Sequence, residues 1–219
     1  MMSESHIFLI IKEDILKCNL DFNIIKHMKK RGLLIIMSGP SGVGKGTIRE
    51  ELMKKDDLNL HYSVSMTTRG MRPGEVNGRE YYFVSREEFD ENIAKDNLLE
   101  WAEFVGNRYG TPRDKVEKMR NEGKNVMLEI EVNGTAQVLS KVTDSGVISI
   151  FIAPPSLEEL ENRLRGRGTE SDEVIKSRVA KASHELGFKN QYKHIVINDD
   201  LLDAVDNVRH IILKAMEEN

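Results

Sequence analysis

The chain has little cysteine and no strong excess of either charge. Cys18 is the one cysteine among 219 residues. This excludes an intramolecular disulfide and favours a reducing compartment, so we expect a cytoplasmic protein. The 32 lysines and arginines nearly balance the 36 aspartates and glutamates, and the formal net charge is −4. Non-specific binding of nucleic acid needs a basic stripe that this balance does not supply. We therefore expect no nucleic-acid partner.

Long hydrophobic runs are also missing. The densest run near the N-terminus, residues 7–11, is too short to span a bilayer, and Lys12 follows it where a signal peptide has small residues. We therefore expect no membrane span and no export. The six histidines lie too far apart in the sequence for a metal-ligand spacing such as that of a zinc site.

The composition is that of a globular protein, with 39% hydrophobic and 31% charged residues. The length favours one domain, or one core with inserted subdomains. Residues 1–27 differ from the rest, because isoleucine and leucine recur there between charged residues. We interpret them as an N-terminal extension, for which a packed helix, a frayed tail and a dimer contact all remain open.

Strands and helices alternate along the rest of the chain. The apolar run Leu33–Met37 predicts a strand that is buried on both faces, and a helix is expected to follow from Lys45. Further strands are expected at 126–130, 147–152 and 195–197. The pair Thr111-Pro112 predicts the N-cap and first turn of another helix. This alternation predicts an α/β fold, with a mostly parallel sheet covered by helices on both faces.

A glycine-rich turn joins the first predicted strand to its helix. Its sequence, GPSGVGK, has the form G-x-x-x-x-G-K in the context that a phosphate-binding loop requires. Glycines allow the backbone N–H groups to turn toward a phosphate, and the lysine adds a mobile positive charge. The candidate ATP-binding residues are Gly39, Pro40, Ser41, Gly42, Val43, Gly44, Lys45, Gly46 and Thr47.

The position after the lysine departs from the general motif. Gly46 replaces the serine or threonine that normally binds Mg²⁺. Either the Thr47 hydroxyl takes that role, or water and phosphate oxygens hold the metal. The motif alone indicates ATP or GTP and does not identify the acceptor of the phosphate. Two charged stretches, 63–113 and 157–185, do not fit the core pattern and are expected to carry ligand contacts.

Several motifs together identify a family. SVSMTTRGMRPGEVNGREYYF, LLEWAEF, YGTP, LEIEVNG, FIAPPS and RGTE follow the phosphate loop in order, and the chain from about Met28 onward resembles guanylate kinase. The resemblance implies a three-layer α/β/α fold of the P-loop NTPase type, with two inserted subdomains. The core would comprise residues 28–62, 115–156 and 186–219, the GMP-binding subdomain residues 63–114, and the lid residues 157–185.

The resemblance also implies roles for residues outside the phosphate loop. Arg69, Arg72, Tyr81 and Tyr109 match the positions that hold the GMP phosphate, and forked guanidinium groups suit a phosphate dianion. Ser65, Glu100 and Thr111 match positions that recognise guanine. A carboxylate can accept from both N1–H and the 2-amino group of guanine, whereas adenine offers no such pair of donors.

Acidic and basic residues are implied on the ATP side. Glu129 and Glu131 alternate along one strand, so we expect them on one face, helping to hold Mg²⁺-linked water and GMP. Their separate roles remain open. Arg163, Arg167 and Arg178 match lid arginines that close over the triphosphate, and Arg167 and Arg178 join Lys45, Arg69 and Arg72 as candidate catalytic residues. Asn198 matches a position that meets adenine.

The implied reaction is transfer of the γ-phosphoryl group of ATP to GMP, with Mg²⁺ as cofactor. It needs no general base, because the attacking phosphate oxygen is already anionic. The expected partners are ATP and GMP or dGMP, and a monomer and a homodimer both remain open. The alternatives are a non-catalytic guanylate-kinase-like domain that binds proteins, and a monophosphate kinase for another acceptor base.

Overall fold

The computed structural model describes residues 30–166, residue 168 and residues 170–219. The extension expected over residues 1–27 lies outside these described residues, and so does Arg167. Strands are formed by β1 (Leu34–Ser38), β2 (Leu60–Tyr62), β3 (Met66–Thr67), β4 (Tyr82–Phe83), β5 (Leu98–Phe104), β6 (Asn107–Pro112), β7 (Asn125–Glu129), β8 (Val147–Ala153) and β9 (His194–Ile197). Helices are formed by α1 (Lys45–Leu52), α2 (Arg86–Ala94), α3 (Arg113–Asn121), α4 (Val132–Lys141), α5 (Leu157–Gly166), α6 (Asp172–Leu186) and α7 (Leu201–Glu218).

The main sheet is parallel and has β1 at its centre. The strand order is β2-β7-β1-β8-β9, and Leu34 of β1 lies opposite Val126 of β7 and Val147 of β8. Every residue of β1 and β8 is buried, as continuous apolar strands in a covered parallel sheet should be. The predicted α/β class with a mostly parallel sheet is confirmed.

The alternation of side chains along β1 divides the core into two layers. Ile35 and Met37 face one side, where they pack in a cluster with buried residues of α1, α5, α6 and α7. Leu34 and Ile36 face the other side, with buried residues of α3 and α4. Successive side chains of a strand point to opposite faces, so one apolar run supplies both layers. The result is a sheet between two layers of helices.

A second, smaller sheet has the order β4-β3-β6-β5. β5 and β6 form an antiparallel hairpin, and β3 also pairs with β6 in the antiparallel direction. This sheet is joined to the core in two ways. Leu99 of β5 is fully buried in the cluster beneath α3 and α4, and the side-chain amide of Gln137 on α4 exchanges two hydrogen bonds, of 3.1 and 2.9 Å, with the backbone of Trp101.

One local expectation from the sequence is wrong. Thr111 does not cap a helix, because α3 begins at Arg113 with Pro112 as its N-cap and no side-chain capping bond. Thr111 instead lies in the buried second half of β6, where its hydroxyl has a partner on the neighbouring strand. Among the described residues, no helix has both the length and the apolar character needed to cross a bilayer.

Candidate active site

The phosphate loop, residues 39–45, lies between the end of β1 and the start of α1, as the motif requires. Gly39, Gly42 and Gly44 have φ angles of 144°, 90° and 100°, which side chains with a Cβ rarely adopt. A Cβ on Gly39 would also lie 2.2 Å from the carbonyl oxygen of Ile152 on β8. The glycines therefore allow the tight path of the loop, and they place its backbone at the N-terminus of α1.

Lys45 is folded back onto this loop. Its Nζ donates to the carbonyl oxygens of Gly39 at 2.5 Å and Pro40 at 3.0 Å. Burial lowers the pKa of Lys45, and the nearby carboxylates of Glu129, Glu185 and Glu131 oppose that shift. Lys45 is thus a partly buried cation on which three carboxylates act.

Glu129 and Glu131 do not share one strand face, so that expectation is wrong. β7 ends at Glu129, and Glu131 is the N-cap of α4. The backbone turns into the helix between them and gives each carboxylate a different partner. Glu129 accepts from Arg49 at 2.9 Å, whereas Glu131 accepts from Lys181 at 2.8 Å. Both carboxylates still act on Lys45, so both lie near the phosphate loop, one from the end of β7 and the other from the start of α4.

Three of the four residues implied in phosphate binding form one cluster on the small sheet. The guanidinium carbon of Arg69 lies 5.4 Å from the centre of the Tyr81 ring. The rings of Tyr81 and Tyr109 meet edge to face at 5.8 Å. The fourth residue, Arg72, is on the exposed turn that follows Arg69, and its backbone joins the cluster through a carboxylate.

That carboxylate belongs to Glu75, which the sequence reasoning missed. Glu75 accepts two hydrogen bonds from the fork of Arg69, at 3.0 and 2.7 Å, and a third from the backbone N–H of Arg72 at 2.7 Å. The bonds from Arg69 and Arg72 hold the pKa of Glu75 below its usual value. The position of Glu75 three residues after Arg72 was visible in the sequence, but an acidic residue in a charged turn is too common to single out.

Glu100 and Thr111 form a buried polar pair on the hairpin of β5 and β6. The Thr111 hydroxyl donates to Oε1 of Glu100 at 2.6 Å, and the two residues are only 6% and 1% exposed. Burial raises the pKa of Glu100, and the Thr111 hydrogen bond opposes that shift. A Cβ on Gly134 of α4 would lie 2.8 Å from Oε2, so α4 closes the site on that side. Ser65 contributes its carbonyl oxygen to Tyr82 N–H at 2.8 Å, beside β3.

Among the described residues that the resemblance assigns to ATP, two lid arginines and Asn198 have protein partners in this structure. Arg178 forms an ion pair with Glu170 at 2.8 Å. Arg163 donates to the backbone carbonyls of Asn198 and Asp199, at 2.8 and 3.2 Å. Asn198 is buried, and its side chain is directed at the phosphate loop. Asn198 is thus brought to the loop, Arg163 is held beside Asn198, and Arg178 is held by Glu170. Arg167 lies outside the described residues.

Oxygen donors of the kind that Mg²⁺ prefers lie at the loop, but they do not form a preformed metal cage. Within the described part of the chain, no group of three or more His, Cys, Asp or Glu side chains is arranged to hold a metal. Thr47 is exposed on the first turn of α1, and the carboxylates of Glu129, Glu185 and Glu131 all act on Lys45. This set fits an ion that binds largely through substrate phosphates and water.

Comparisons with known proteins agree on one family. The guanylate kinase family model matches residues 31–215. The chain is 54% identical over 187 residues to a guanylate kinase of Mesoplasma florum, covering 85% of this chain and 62% of that protein. It is 50% identical over 186 residues to a guanylate kinase of Bacillus subtilis, covering 85% of this chain and 90% of that protein.

A solved structure is also similar. The crystal structure of guanylate kinase from Anaplasma phagocytophilum is 33% identical in sequence, with a TM-score of 0.66, and the match covers 85% of this chain and 87% of that one. The chain therefore spans a little under two thirds of the Mesoplasma protein and most of the other relatives named here. The chain belongs to the guanylate kinase family.

Proposed function

We propose that the protein transfers the γ-phosphoryl group of ATP to GMP, giving ADP and GDP. The observation that carries this proposal is the buried Glu100–Thr111 pair on the small sheet, whose strand β6 also carries Tyr109 of the cluster with Arg69 and Tyr81. One part of the sheet offers a carboxylate to a base, and the other offers cationic and hydroxyl groups to a phosphate. Membership of the guanylate kinase family supports the same reaction.

Guanine fits the chemistry of the buried pair. Its N1–H and 2-amino groups are adjacent donors, and an ionised Glu100 accepts from both. The Thr111 hydroxyl, which already donates to Glu100 at 2.6 Å, fixes the carboxylate, and Ser65 completes the proposed base site. Adenine has an acceptor at N1 and no 2-amino group, so AMP would leave the buried carboxylate without the two base donors that guanine supplies. Unpaired buried polar groups cost about 1–3 kcal/mol each, and sites of this kind reject the wrong base strongly.

The acceptor phosphate is proposed to lie against Arg69, Arg72, Tyr81 and Tyr109. Glu75 accepts from the guanidinium fork of Arg69 and from the backbone N–H of Arg72, so the Arg69 side chain and the turn that carries Arg72 are held before substrate binds. The attacking oxygen of GMP is already anionic, and phosphoryl transfer depends mainly on alignment and charge stabilisation. The residues of this cluster therefore aim the acceptor rather than remove a proton.

The ATP phosphates are proposed to bind in the phosphate loop, with Lys45 moving from the Gly39 and Pro40 carbonyls to the phosphate oxygens. Arg163, Arg167 and Arg178 would neutralise the remaining charge when residues 157–185 close over the triphosphate. The resemblance assigns a contact with adenine to Asn198. Closure of this lid and of residues 63–114 would exclude water, whose attack would waste ATP. Residues 28–62, 115–156 and 186–219 would form the fixed core.

Mg²⁺ is the proposed cofactor. Thr47, Glu129 and Glu131 would hold it directly or through water, and when bound it supplies positive charge to the ATP phosphates. The proposed ligands are ATP and GMP or dGMP, with no nucleic acid or membrane involved. A cytoplasmic location, and a monomer or homodimer, complete the proposal.

The test is a coupled assay of ADP release with Mg²⁺-ATP and each of GMP, dGMP, AMP, CMP and UMP. We expect turnover with GMP and dGMP alone. Turnover with another monophosphate would overturn the role of Glu100 and Thr111 in base choice. Folded protein that binds GMP but releases no ADP with any acceptor would instead support a non-catalytic binding domain.

A further inference from the structure

A side chain from a distant part of the sequence is hydrogen-bonded to the backbone of the phosphate loop, and we call this contact the brace. The side-chain Nδ2 of Asn198, directly after β9, donates to the carbonyl oxygen of Val43 at 2.7 Å. Asn198 is 6% exposed, so water competes little for this hydrogen bond. A loop that receives a phosphate must direct N–H groups toward it and keep carbonyl oxygens away. The hydrogen bond holds the Val43 carbonyl oxygen against the side chain of Asn198.

The same hydrogen bond fixes the next N–H group. The described peptide bonds are trans, and in a planar trans peptide the C=O of one residue and the N–H of the next point in opposite directions. When the Val43 carbonyl is held on Asn198, the Gly44 N–H is directed away from Asn198. A Cβ on Gly44 would lie 2.5 Å from Asn198 Nδ2, so the asparagine is in close contact with the backbone that it orients.

Asn198 is itself held from two sides. Its backbone N–H donates to Ala153 at the end of β8, at 2.8 Å. Its carbonyl oxygen accepts from Nη1 of Arg163 on α5 at 2.8 Å, and Nε of Arg163 donates to Glu159 at 2.9 Å. These bonds form a chain from α5 through Arg163 and Asn198 to Val43.

Helix α5 also touches the loop directly. A Cβ on Gly42 would lie 2.6 Å from the Cδ2 atom of Leu164, and Leu160 and Val43 are fully buried in the same apolar cluster. The loop is therefore backed by packing at Gly42 and by a hydrogen bond at Val43. The packing limits where the loop lies, whereas the hydrogen bond sets the direction of one peptide plane.

We propose that Asn198 is a positioning residue for the phosphates of the bound nucleotide, because it sets the orientation of the Val43–Gly44 peptide. This inference rests on the proposed binding of ATP phosphates in the loop. It differs from the adenine contact that the resemblance assigns to Asn198. A brace affects any ligand with the phosphate chain, whatever its base, whereas an adenine contact affects only ligands that carry adenine.

The test compares ATP with inorganic tripolyphosphate, which has the phosphates and no base. We would measure dissociation constants of both ligands, and of GMP, by titration calorimetry for the wild type, Asn198→Ala and Asn198→Ser. Serine keeps a polar group in the buried position but is too short to reach Val43, so it serves if the alanine variant does not fold. Asn190→Ala is the matched control, because Asn190 is exposed in the turn before β9.

We expect both Asn198 variants to raise the dissociation constants of ATP and tripolyphosphate by the same factor, roughly 5-fold to 20-fold for the loss of one buried hydrogen bond. The dissociation constant for GMP should stay within about twofold of the wild type, because the acceptor site is built on other residues. Weaker binding of ATP with unchanged binding of tripolyphosphate would overturn the positioning role of Asn198 in favour of an adenine contact. Unchanged affinity for both ligands would also overturn it. Failure of the wild type to bind either ligand would count against the proposed function instead.

Discussion

Replacing Glu100 by glutamine removes a charge but almost no volume, and we expect it to impair GMP binding while the fold survives. The ionised carboxylate is proposed to accept from two guanine donors, whereas glutamine keeps one acceptor and turns an NH₂ donor toward the base. Losing a hydrogen bond to a charged group costs about 1.5–3 kcal/mol, and leaving a buried donor unpaired costs about 1–3 kcal/mol. The sum of about 2.5–6 kcal/mol corresponds to a rise in KM for GMP of roughly 10²-fold to 10⁴-fold.

The pH dependence separates this loss from unfolding. Burial raises the pKa of Glu100. A carboxyl group with a raised folded pKa contributes stability below its unfolded pKa of about 4.3, and that contribution is lost as pH rises through the folded value. The glutamine variant lacks the buried carboxyl group whose charged form burial disfavours, so at neutral pH the variant should be at least as stable as the wild type. GMP binding by the wild type should weaken as pH falls through the raised pKa of Glu100.

The assay is steady-state kinetics with GMP varied, together with thermal unfolding of both proteins over about pH 5 to 8. Glu103→Gln is the matched control, because Glu103 lies on the same strand and its side chain is 47% exposed. We expect the control to leave KM unchanged. A KM for GMP within about threefold of the wild type in Glu100→Gln, or a clear loss of thermal stability at neutral pH, would refute the reasoning.

Three further variants test other parts of the site and the fold. Lys45→Met should lower kcat by about 100-fold to 1000-fold, as loss of a charge-stabilising group does, with little change in melting temperature; near-normal kcat would remove Lys45 from the site. Glu75→Gln should raise KM for GMP by about 5-fold to 20-fold, because the carboxylate that orients the Arg69 fork is lost. A lower KM would mean that Glu75 competes with the phosphate. Arg120→Met should lower the free energy of unfolding by about 3 kcal/mol without changing KM for either substrate, because fully buried Arg120 donates to Asp144 at 3.0 and 2.6 Å. Denaturant unfolding measures this loss of stability, and an unchanged free energy of unfolding would contradict the prediction.

The parts of the fold that could be predicted are those governed by local sequence. The apolar run of β1 is buried on both faces, and the glycines that follow it take the positive φ angles that a tight loop needs. Lys45 begins α1 as expected. The strand, the loop and the helix are determined here by residues that are neighbours in the sequence, so the local sequence pattern is sufficient to predict all three.

The misplaced residues depend on where an element ends or on a partner far along the chain. Glu131 was expected on β7, but the strand stops at Glu129 and the chain turns into α4. Thr111 was expected to cap a helix, but a buried carboxylate on the adjacent strand takes its hydroxyl. The partner of Asn198 is 155 residues away. Strand ends and long-range pairs are set by tertiary packing, which a local pattern does not contain.

The most direct test of the proposed reaction is ³¹P nuclear magnetic resonance of the protein with Mg²⁺-ATP and GMP in equal amounts. We expect the ATP signals to fall while those of ADP and GDP rise together, one GDP for each ADP, with no inorganic phosphate. This result would show that the phosphoryl group goes to GMP and not to water. ADP with inorganic phosphate in place of GDP, or no change in the ATP signals, would contradict the proposed transfer.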